Sequence, residues 1–220
     1  MLKDLRLFYS EFRRNFVTTG AIAPSSPLLA KAMVFPLKQR SSSPIRVLEV
    51  GAGTGAVTQQ LLKQLRSGDT LDIYELNPRF FGVLRENLPI ADLTRQGLTC
   101  RLHNADVRSL PDSALFDFII SGLPFNNFES QIVEEFFETF MNHLLPGGTL
   151  AYFEYIGTRE FQSRLVTGAE RERLVRVGIA VKSFLQKYQY DSNQVWWNLP
   201  PAKARYCRKA SSLEKPAPPK

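Results

Sequence analysis

The feature that most constrains this 220-residue chain is a glycine-rich turn between an apolar run and a helical pattern. Residues 45–50 read IRVLEV, a buried-strand pattern that ends beside an acid, and residues 51–55 read GAGTG. Apolar residues then recur on one face of a predicted helix: Val57, Leu61, Leu62 and Leu65. Glycines let a backbone pass close beneath a ligand, and the first turn of a helix presents free N–H groups. The stretch therefore predicts a strand, a ligand-binding turn and a helix in succession.

The same alternation of strand and helix patterns continues along the chain. Further strands are predicted at 71–76, 98–106, 115–121 and 149–155, with helical patterns between most of them. Near the end, residues 180–190 and 194–199 predict two more strands, joined by an Asp-Ser-Asn turn at 191–193 into an antiparallel edge hairpin. The expected fold class is α/β: a Rossmann-like sheet of seven strands, mostly parallel, with helices on both faces.

Three of the predicted strands carry an acid at or near their ends, and the three acids suggest the ligand. Glu75 is placed to accept both hydroxyls of a ribose, Asp106 to meet an adenine amino group, and Glu49 to attract an ammonium. A dinucleotide fits only one of the three positions, because its pyrophosphate would be repelled by Glu49, and Ala56 stands where its fingerprint has a third glycine. S-adenosylmethionine fits all three. The predicted cofactor-binding residues are Glu49, Gly51, Gly53, Gly55, Glu75, Leu76, Asp106, Val107 and Ser121.

Residues 45–155 resemble the class I S-adenosylmethionine-dependent methyltransferases. The resemblance rests on VLEVGAGTG, on YELN and on the tripeptide Asn-Ala-Asp at 104–106. SGLPF at 121–125 occupies the place where amino-methyltransferases of this class carry their acceptor motif. The resemblance implies that the carbonyls of Ser121, Gly122 and Leu123 hold an amine while the ring of Phe125 lies against it. The alternative is a strand-ending turn with a core phenylalanine. The rRNA adenine dimethyltransferases have an asparagine where this chain has Ser121, and they carry a C-terminal helical domain for which this chain has little room.

The net charge of +7 is unevenly distributed along the chain. Residues 41–158 carry net −6, whereas 1–40 carry +5, 159–187 carry +4 and 203–220 carry +5. This pattern indicates an ordinary globular core with basic additions that meet an anionic partner, either nucleic acid or a membrane surface. The two cysteines and two histidines lie apart without metal-ligand spacing, so no metal site is expected and a reducing cytoplasm is favoured.

The N-terminus predicts an amphipathic helix with aromatic residues on one face. Its apolar stripe comprises Leu2, Leu5, Phe8, Tyr9, Phe12 and Phe16, flanked by basic residues. Such a helix can lie in the interface of an anionic membrane, and the predicted membrane contacts are Lys3, Arg6, Phe8, Phe12 and Arg13. The alternative is a first helix that docks on the core with a basic solvent face.

Residues 8–206 resemble the bacterial phospholipid N-methyltransferases. The resemblance rests on four segments in the right order along the chain: the N-terminal segment, VLEVGAGTGAVT, SGLPF and NLPPAKARY. The resemblance implies a monomer at the inner face of the cytoplasmic membrane that methylates phosphatidylethanolamine toward phosphatidylcholine, with S-adenosylmethionine as cofactor and no nucleic-acid partner. In that case Tyr9 or Tyr155 would accept a proton, and a basic segment would bind phosphate through Arg159, Arg164 and Arg176.

Two departures from that family keep other substrates open. An arginine-rich insert follows the fifth strand, and the last predicted strand holds two tryptophans. These differences leave an ornithine lipid as an alternative, beside an rRNA adenine methyltransferase and a scaffold without activity. The expected organisation is residues 1–40 as an amphipathic and cofactor-covering segment, 41–208 as the methyltransferase domain, and 209–220 as a disordered tail.

Overall fold

A computed structural model describes residues 26–211, apart from the side chains of residues 160 and 161. Within that range the chain forms a seven-stranded sheet with the order β3-β2-β1-β4-β5-β7-β6. Its strands are β1 (Arg46–Val50), β2 (Thr70–Tyr74), β3 (Thr99–His103), β4 (Phe116–Ser121), β5 (Leu144–Tyr155), β6 (Gln189–Val195) and β7 (Ala202–Arg208). The first five strands pair in parallel, and β7 lies antiparallel between β5 and β6. The predicted fold class is therefore confirmed.

The sheet topology determines where a ligand can bind. The central strand β1 pairs with β2 on one side and β4 on the other, so the order reverses at β1. In open parallel sheets ligands bind in the crevice beyond the carboxyl ends of the strands, at such a reversal. We call this border of the sheet the carboxyl edge.

Helices cover both faces of the sheet. They are α1 (Pro27–Met33), α2 (Ala56–Leu62), α3 (Pro78–Asn87), α4 (Ile90–Arg95), α5 (Ser130–His143), α6 (Thr158–Leu165) and α7 (Gly168–Tyr188). Apolar residues of α1 to α4 join one core cluster, and those of α5 and α7 join the cluster on the opposite face. The Ser26 side chain accepts from the N–H of Leu29 and thereby caps α1. None of the helices in residues 26–211 has the length and apolarity needed to cross a bilayer.

The C-terminal hairpin was predicted at the wrong residues. Residues 180–188 belong to helix α7, and β6 then runs straight through 191–193, where a turn was predicted. The partner strand is β7 at Ala202–Arg208, rather than 194–199. A helix forms here instead of a strand because its buried residues recur at helical spacing and cover one face. They include Leu174, Val177, Val181 and Phe184. The ring of Phe184 stacks on Phe137 of α5 with 3.9 Å between centroids.

Candidate active site

The glycine turn leaves β1 at the centre of the carboxyl edge. Gly51, Gly53 and Gly55 have φ values of 69°, 60° and 90°, in the left-handed region that side chains rarely adopt. The N–H of Gly51 donates to the carbonyl of Tyr74 at 2.8 Å, and Gly55 donates to Ala52 at 2.9 Å before α2 begins at Ala56. The predicted strand, glycine turn and helix are therefore all present.

The loop after β4 packs directly on this turn. The N–H of Gly122 donates to the carbonyl of Val50 at 2.8 Å, and the N–H of Leu123 donates to Ser121 Oγ at 3.3 Å. A Cβ atom built on Gly122 would lie 2.6 Å from the carbonyl oxygen of Gly51. One built on Gly51 would lie 2.9 Å from Leu123 Cδ2. The two loops can therefore approach this closely only because both residues lack side chains.

Glu75 lies immediately after β2 and ties two loops together at the carboxyl edge. Its buried carboxylate accepts from the N–H of Gly53 at 2.9 Å and from the N–H of Asn77 at 2.8 Å. Asn104 was not among the predicted site residues. Its side-chain amide donates to the carbonyls of Glu75 at 2.8 Å and Leu76 at 3.2 Å. Asn104 thereby fastens the end of β3 to the end of β2. The side chain of Leu76 is buried.

Glu49 on β1 is buried without a partner. Its side chain is 1% exposed, and neither carboxylate oxygen has a hydrogen bond within residues 26–211. Burial raises the pKa of Glu49 to about 8; the hydroxyl and N–H of nearby Thr58, which do not reach hydrogen-bond geometry with it, oppose the rise, and the charge of Glu75 adds to it. A buried carboxyl group with no partner is costly in a folded protein unless a ligand completes it. A cationic ligand would place a positive charge beside this carboxylate and so stabilise its ionised form.

Asp106 follows β3 and is held by Arg108. Its carboxylate accepts from the backbone N–H of Arg108 at 2.9 Å and pairs with the guanidinium of Arg108 at 2.8 Å. Arg108 also pairs with Glu135 of α5. Asp106 starts a short 3-10 turn in which Val107 is buried. The contact of Asp106 with an adenine stays a prediction.

The acceptor motif continues into a short 3-10 turn, Phe125–Asn127, whose phenylalanine points into the core. Phe125 is 3% exposed, and its ring centroid lies 4.8 Å from Phe137 and 5.2 Å from Tyr152. This is the position that the strand-ending-turn alternative predicts for the ring. The hydroxyl of Tyr152 beside it has no hydrogen-bond partner within residues 26–211, and burial raises the pKa of Tyr152.

We call residues 121–127, the acceptor motif with its 3-10 turn, the acceptor turn. Arg159 connects this turn to a polar cluster at the end of β5. Its Nε donates to Asn126 Oδ1 at 2.8 Å, and its Nη2 donates to Glu154 at 2.7 Å. Arg205 of β7 donates to the other oxygen of Glu154 at 2.9 Å. These three charged residues and Lys182 line a cavity of about 360 Å³, with Leu174 and Val181 among its apolar walls. The cavity carries two more cations than anions, and two of its three cations belong to the basic segment 159–187.

The other predicted substrate residues lie elsewhere. Arg164 and Arg176 are exposed, and Arg176 pairs with Glu172 at 3.6 Å. Burial raises the pKa of Tyr155 to about 12, so its phenol keeps its proton at neutral pH. The predicted membrane contacts and the candidate proton acceptor Tyr9 lie outside the described residues.

Comparisons with known proteins find similarity to methyltransferases. Residues 47–148 match the family described as "Methyltransferase domain". An ornithine lipid N-methyltransferase of Singulisphaera acidiphila is 27% identical over 154 residues, which cover 67% of this chain and 76% of that protein. The crystal structure of the N-methyltransferase NodS from Bradyrhizobium japonicum WM9 superposes with a TM-score of 0.57 at 18% identity, over 82% of this chain and 94% of NodS. NodS in complex with S-adenosyl-L-homocysteine gives a TM-score of 0.54 at 18% identity, over 83% of each chain.

Proposed function

We propose, from the premise that residues 47–148 of this chain form an S-adenosylmethionine-dependent methyltransferase domain, that the protein methylates the amino group of a membrane lipid. The observation that carries the lipid assignment is the cavity beside the acceptor turn, with a cationic end at Arg159 and apolar walls. Both phosphatidylethanolamine and an ornithine lipid combine an amine, an anionic group and acyl chains. The first was predicted from sequence motifs, and the second is favoured by the name of the Singulisphaera relative.

The residues at the carboxyl edge fit S-adenosylmethionine. Glu75 would hold the ribose, Asp106 the adenine, and the glycine turn at 51–55 would pass beneath the ligand. The unpartnered carboxylate of Glu49 suits the amino-acid ammonium, because a bound cation removes the cost of the buried charge. When bound, the cofactor supplies a methyl group on a sulfonium, which a neutral amine can displace.

The chain must present the amine with its lone pair free and directed at that methyl group. The carbonyls of Gly122 and Leu123 accept no hydrogen bond from residues 26–211, so they remain able to accept from the amine. Deprotonating an alkyl ammonium of pKa about 10.4 at pH 7 costs roughly 4–5 kcal/mol. Partial desolvation beside the buried turn lowers that cost. Since Tyr155 keeps its own proton at this pH, Tyr9 stays the proposed acceptor of the released proton.

We propose that the enzyme works at the inner face of the cytoplasmic membrane as a monomer, with its basic segments toward anionic lipid. The segments at 159–187 and 203–220 carry net charges of +4 and +5. Attraction of such segments to an anionic surface raises the local concentration of enzyme at its substrate.

The substrate assignment can be tested by supplying labelled S-adenosylmethionine with separate pools of phosphatidylethanolamine vesicles, ornithine-lipid vesicles and total RNA. We expect label in one or both lipid pools, with the more strongly labelled pool identifying the head group. Label in RNA alone would contradict the proposal, since the same fold also serves nucleic-acid methyltransferases.

Arg159→Ala is expected to raise KM for the lipid by about tenfold or more with a smaller change in kcat, because it removes a charge-assisted contact with the lipid anion. Arg159→Lys, which keeps the charge but loses the two-sided hydrogen bonding to Asn126 and Glu154, should give an intermediate KM. Steady-state kinetics on mixed micelles would measure both.

Arg95→Ala provides the matched control, because Arg95 is a largely exposed arginine on α4 that also pairs with an acid. Its KM should equal that of the wild type. An unchanged KM in Arg159→Ala, or an equal rise in Arg95→Ala, would remove Arg159 from the lipid site.

A further inference from the structure

The connection between β6 and β7, residues 196–201, exposes three large apolar side chains. Trp196 is 62% exposed, Trp197 88% and Leu199 86%. Single apolar residues on a surface are ordinary, but three within four residues are not, because each would be stabilised by leaving water. We call residues 196–201 the tryptophan loop.

The tryptophan loop lies at the carboxyl edge, the same border of the sheet as the active site. Val195 at the end of β6 and Tyr155 at the end of β5 both pair with Ala202 at the start of β7. The N–H of Ile156 donates to the carbonyl of Pro201 at 2.8 Å. The loop therefore projects from the edge that also carries the glycine turn and the acceptor turn.

The loop is held in place by a buried asparagine. Asn198 is 5% exposed; its Oδ1 accepts from the N–H of Ser26 at 3.3 Å, and its Nδ2 donates to the carbonyl of Pro200 at 2.7 Å. Its own N–H donates to the carbonyl of Val195 at 3.3 Å. A turn with this internal support presents Trp196 and Trp197 in a defined direction.

The chemistry of the loop and its surroundings favours a lipid bilayer as its partner. Tryptophan is enriched where a protein crosses the boundary between head groups and acyl chains, because its ring is apolar and its N–H is polar. Lys203 lies one residue beyond the loop, near the start of β7, whereas Arg208 lies at the opposite end of that strand. Leu28, which is 48% exposed, lies two residues beyond the Ser26 contact. An apolar loop with a cation beside it suits an anionic membrane surface.

We propose that the tryptophan loop inserts into the head-group boundary of an anionic bilayer and holds the carboxyl edge against the membrane, where the lipid amine enters the acceptor turn. This inference rests on the proposed lipid substrate. It adds a membrane-anchoring site at residues 196–199, far along the chain from the predicted N-terminal helix.

The chain offers a direct measurement, because Trp196 and Trp197 are its only two tryptophans. The intrinsic tryptophan fluorescence of the unaltered protein therefore reports on this loop alone. We expect vesicles of phosphatidylethanolamine and phosphatidylglycerol to shift the emission to shorter wavelength, and brominated acyl chains to quench it. Unchanged emission while the protein co-sediments with the vesicles would overturn the proposal. A shift that depends on protein concentration without lipid would also overturn it, in favour of contact with a second copy.

The double variant Trp196→Ser/Trp197→Ser is expected to bind these vesicles about tenfold or more weakly, since two interfacial indoles are lost. Its methylation of vesicle lipid should fall in proportion, while S-adenosylmethionine binding and methylation of a short-chain, dispersed form of the same lipid stay unchanged. Those two unchanged readings exclude misfolding as the cause.

Ile179→Ser is the matched control, because Ile179 on α7 is 63% exposed, as Trp196 is. Its vesicle binding should equal that of the wild type, and an equal loss in this control would overturn the assignment to the loop. Failure of this inference is distinguishable from failure of the proposed function. A protein that methylates lipid without tryptophan quenching refutes the loop alone, whereas one that methylates no lipid refutes the function while the quenching still reports on the loop.

Discussion

Replacing Gly122 by alanine is expected to lower kcat/KM by on the order of 10²-fold, because a displacement of about 1 Å at a reacting centre has that effect. The new Cβ would lie 2.6 Å from the carbonyl oxygen of Gly51, a backbone atom that cannot turn aside. One of the two loops must therefore move, and those loops carry the predicted cofactor and acceptor contacts. Such overpacking also costs about 1–3 kcal/mol of stability. Calorimetric titration of S-adenosylmethionine and a methyl-transfer assay would measure the two effects.

Gly82→Ala is the control for this substitution. Gly82 lies within α3, and a Cβ atom built there has no heavy atom within 4 Å. Alanine at that position is expected to leave activity unchanged and to stabilise the helix by about 0.5–1 kcal/mol. If Gly122→Ala binds the cofactor and turns over within twofold of wild type, the close contact of the two loops does not control the site.

The affinity of the wild-type protein for S-adenosylmethionine is expected to rise with pH between about 6 and 7.5, relative to Glu49→Gln, by as much as about tenfold per unit. The pKa of Glu49 is raised to about 8, so the ligand-free protein holds a proton there at neutral pH. A bound cation favours the ionised form and expels that proton. Comparing the two proteins by titration at each pH cancels the ionisation of the ligand itself, which both share.

The same carboxyl group is expected to reduce the stability of the ligand-free protein. Because the folded-state pKa of Glu49 is about 8 and the usual value is 4.5, the folded state holds a proton that the unfolded state releases between those pH values. Its contribution is favourable below about pH 4.5 and is lost as pH rises toward 8, a change of a few kcal/mol at 1.36 kcal/mol per pKa unit. Glu49→Gln should therefore unfold at a higher temperature than wild type at pH 8, while binding the cofactor more weakly.

The control for Glu49→Gln is the loss of an exposed carboxylate. Thr58 opposes the rise in the pKa of Glu49 and Glu75 adds to it; burial raises the pKa of Cys100 on β3, and the charge of Glu49 adds to that rise. Glu86→Gln removes an exposed carboxylate on α3 instead, and its melting temperature and affinity should follow the wild type at every pH. Equal pH profiles for wild type and Glu49→Gln would show that Glu49 does not meet the cationic part of the ligand.

The part of the molecule that could be predicted from sequence is the part whose signals are local. The apolar run, the acid within it and the glycines at alternate positions occupy eleven consecutive residues, 45–55, and each requirement is met by residue type at fixed spacing. Glu75 and Asp106 were predicted because parallel strands bring their carboxyl ends to one edge. The cofactor, S-adenosylmethionine, was predicted from these same residues, and the methyltransferase-domain match confirms it.

The failures have a common physical origin in packing between distant segments. Residues 180–188 have a pattern that suits either a strand or a helix, and the stacking of Phe184 on Phe137 selects the helix. The ring of Phe125, whose contact with the amine stays a prediction, packs against Phe137 and Tyr152. Short apolar runs do not distinguish such alternatives, since the deciding neighbour lies tens of residues away.

The sequence by itself determined the fold class, the cofactor and the turn that follows β4, since all three follow from residue types at short, fixed spacings. The tertiary structure alone decided that Arg159 lies against Asn126, that Glu49 is buried without a partner, and that Trp196 and Trp197 share an edge with the active site. These are relations between segments up to about 150 residues apart. They depend on strand order and side-chain packing, which act through space rather than along the chain.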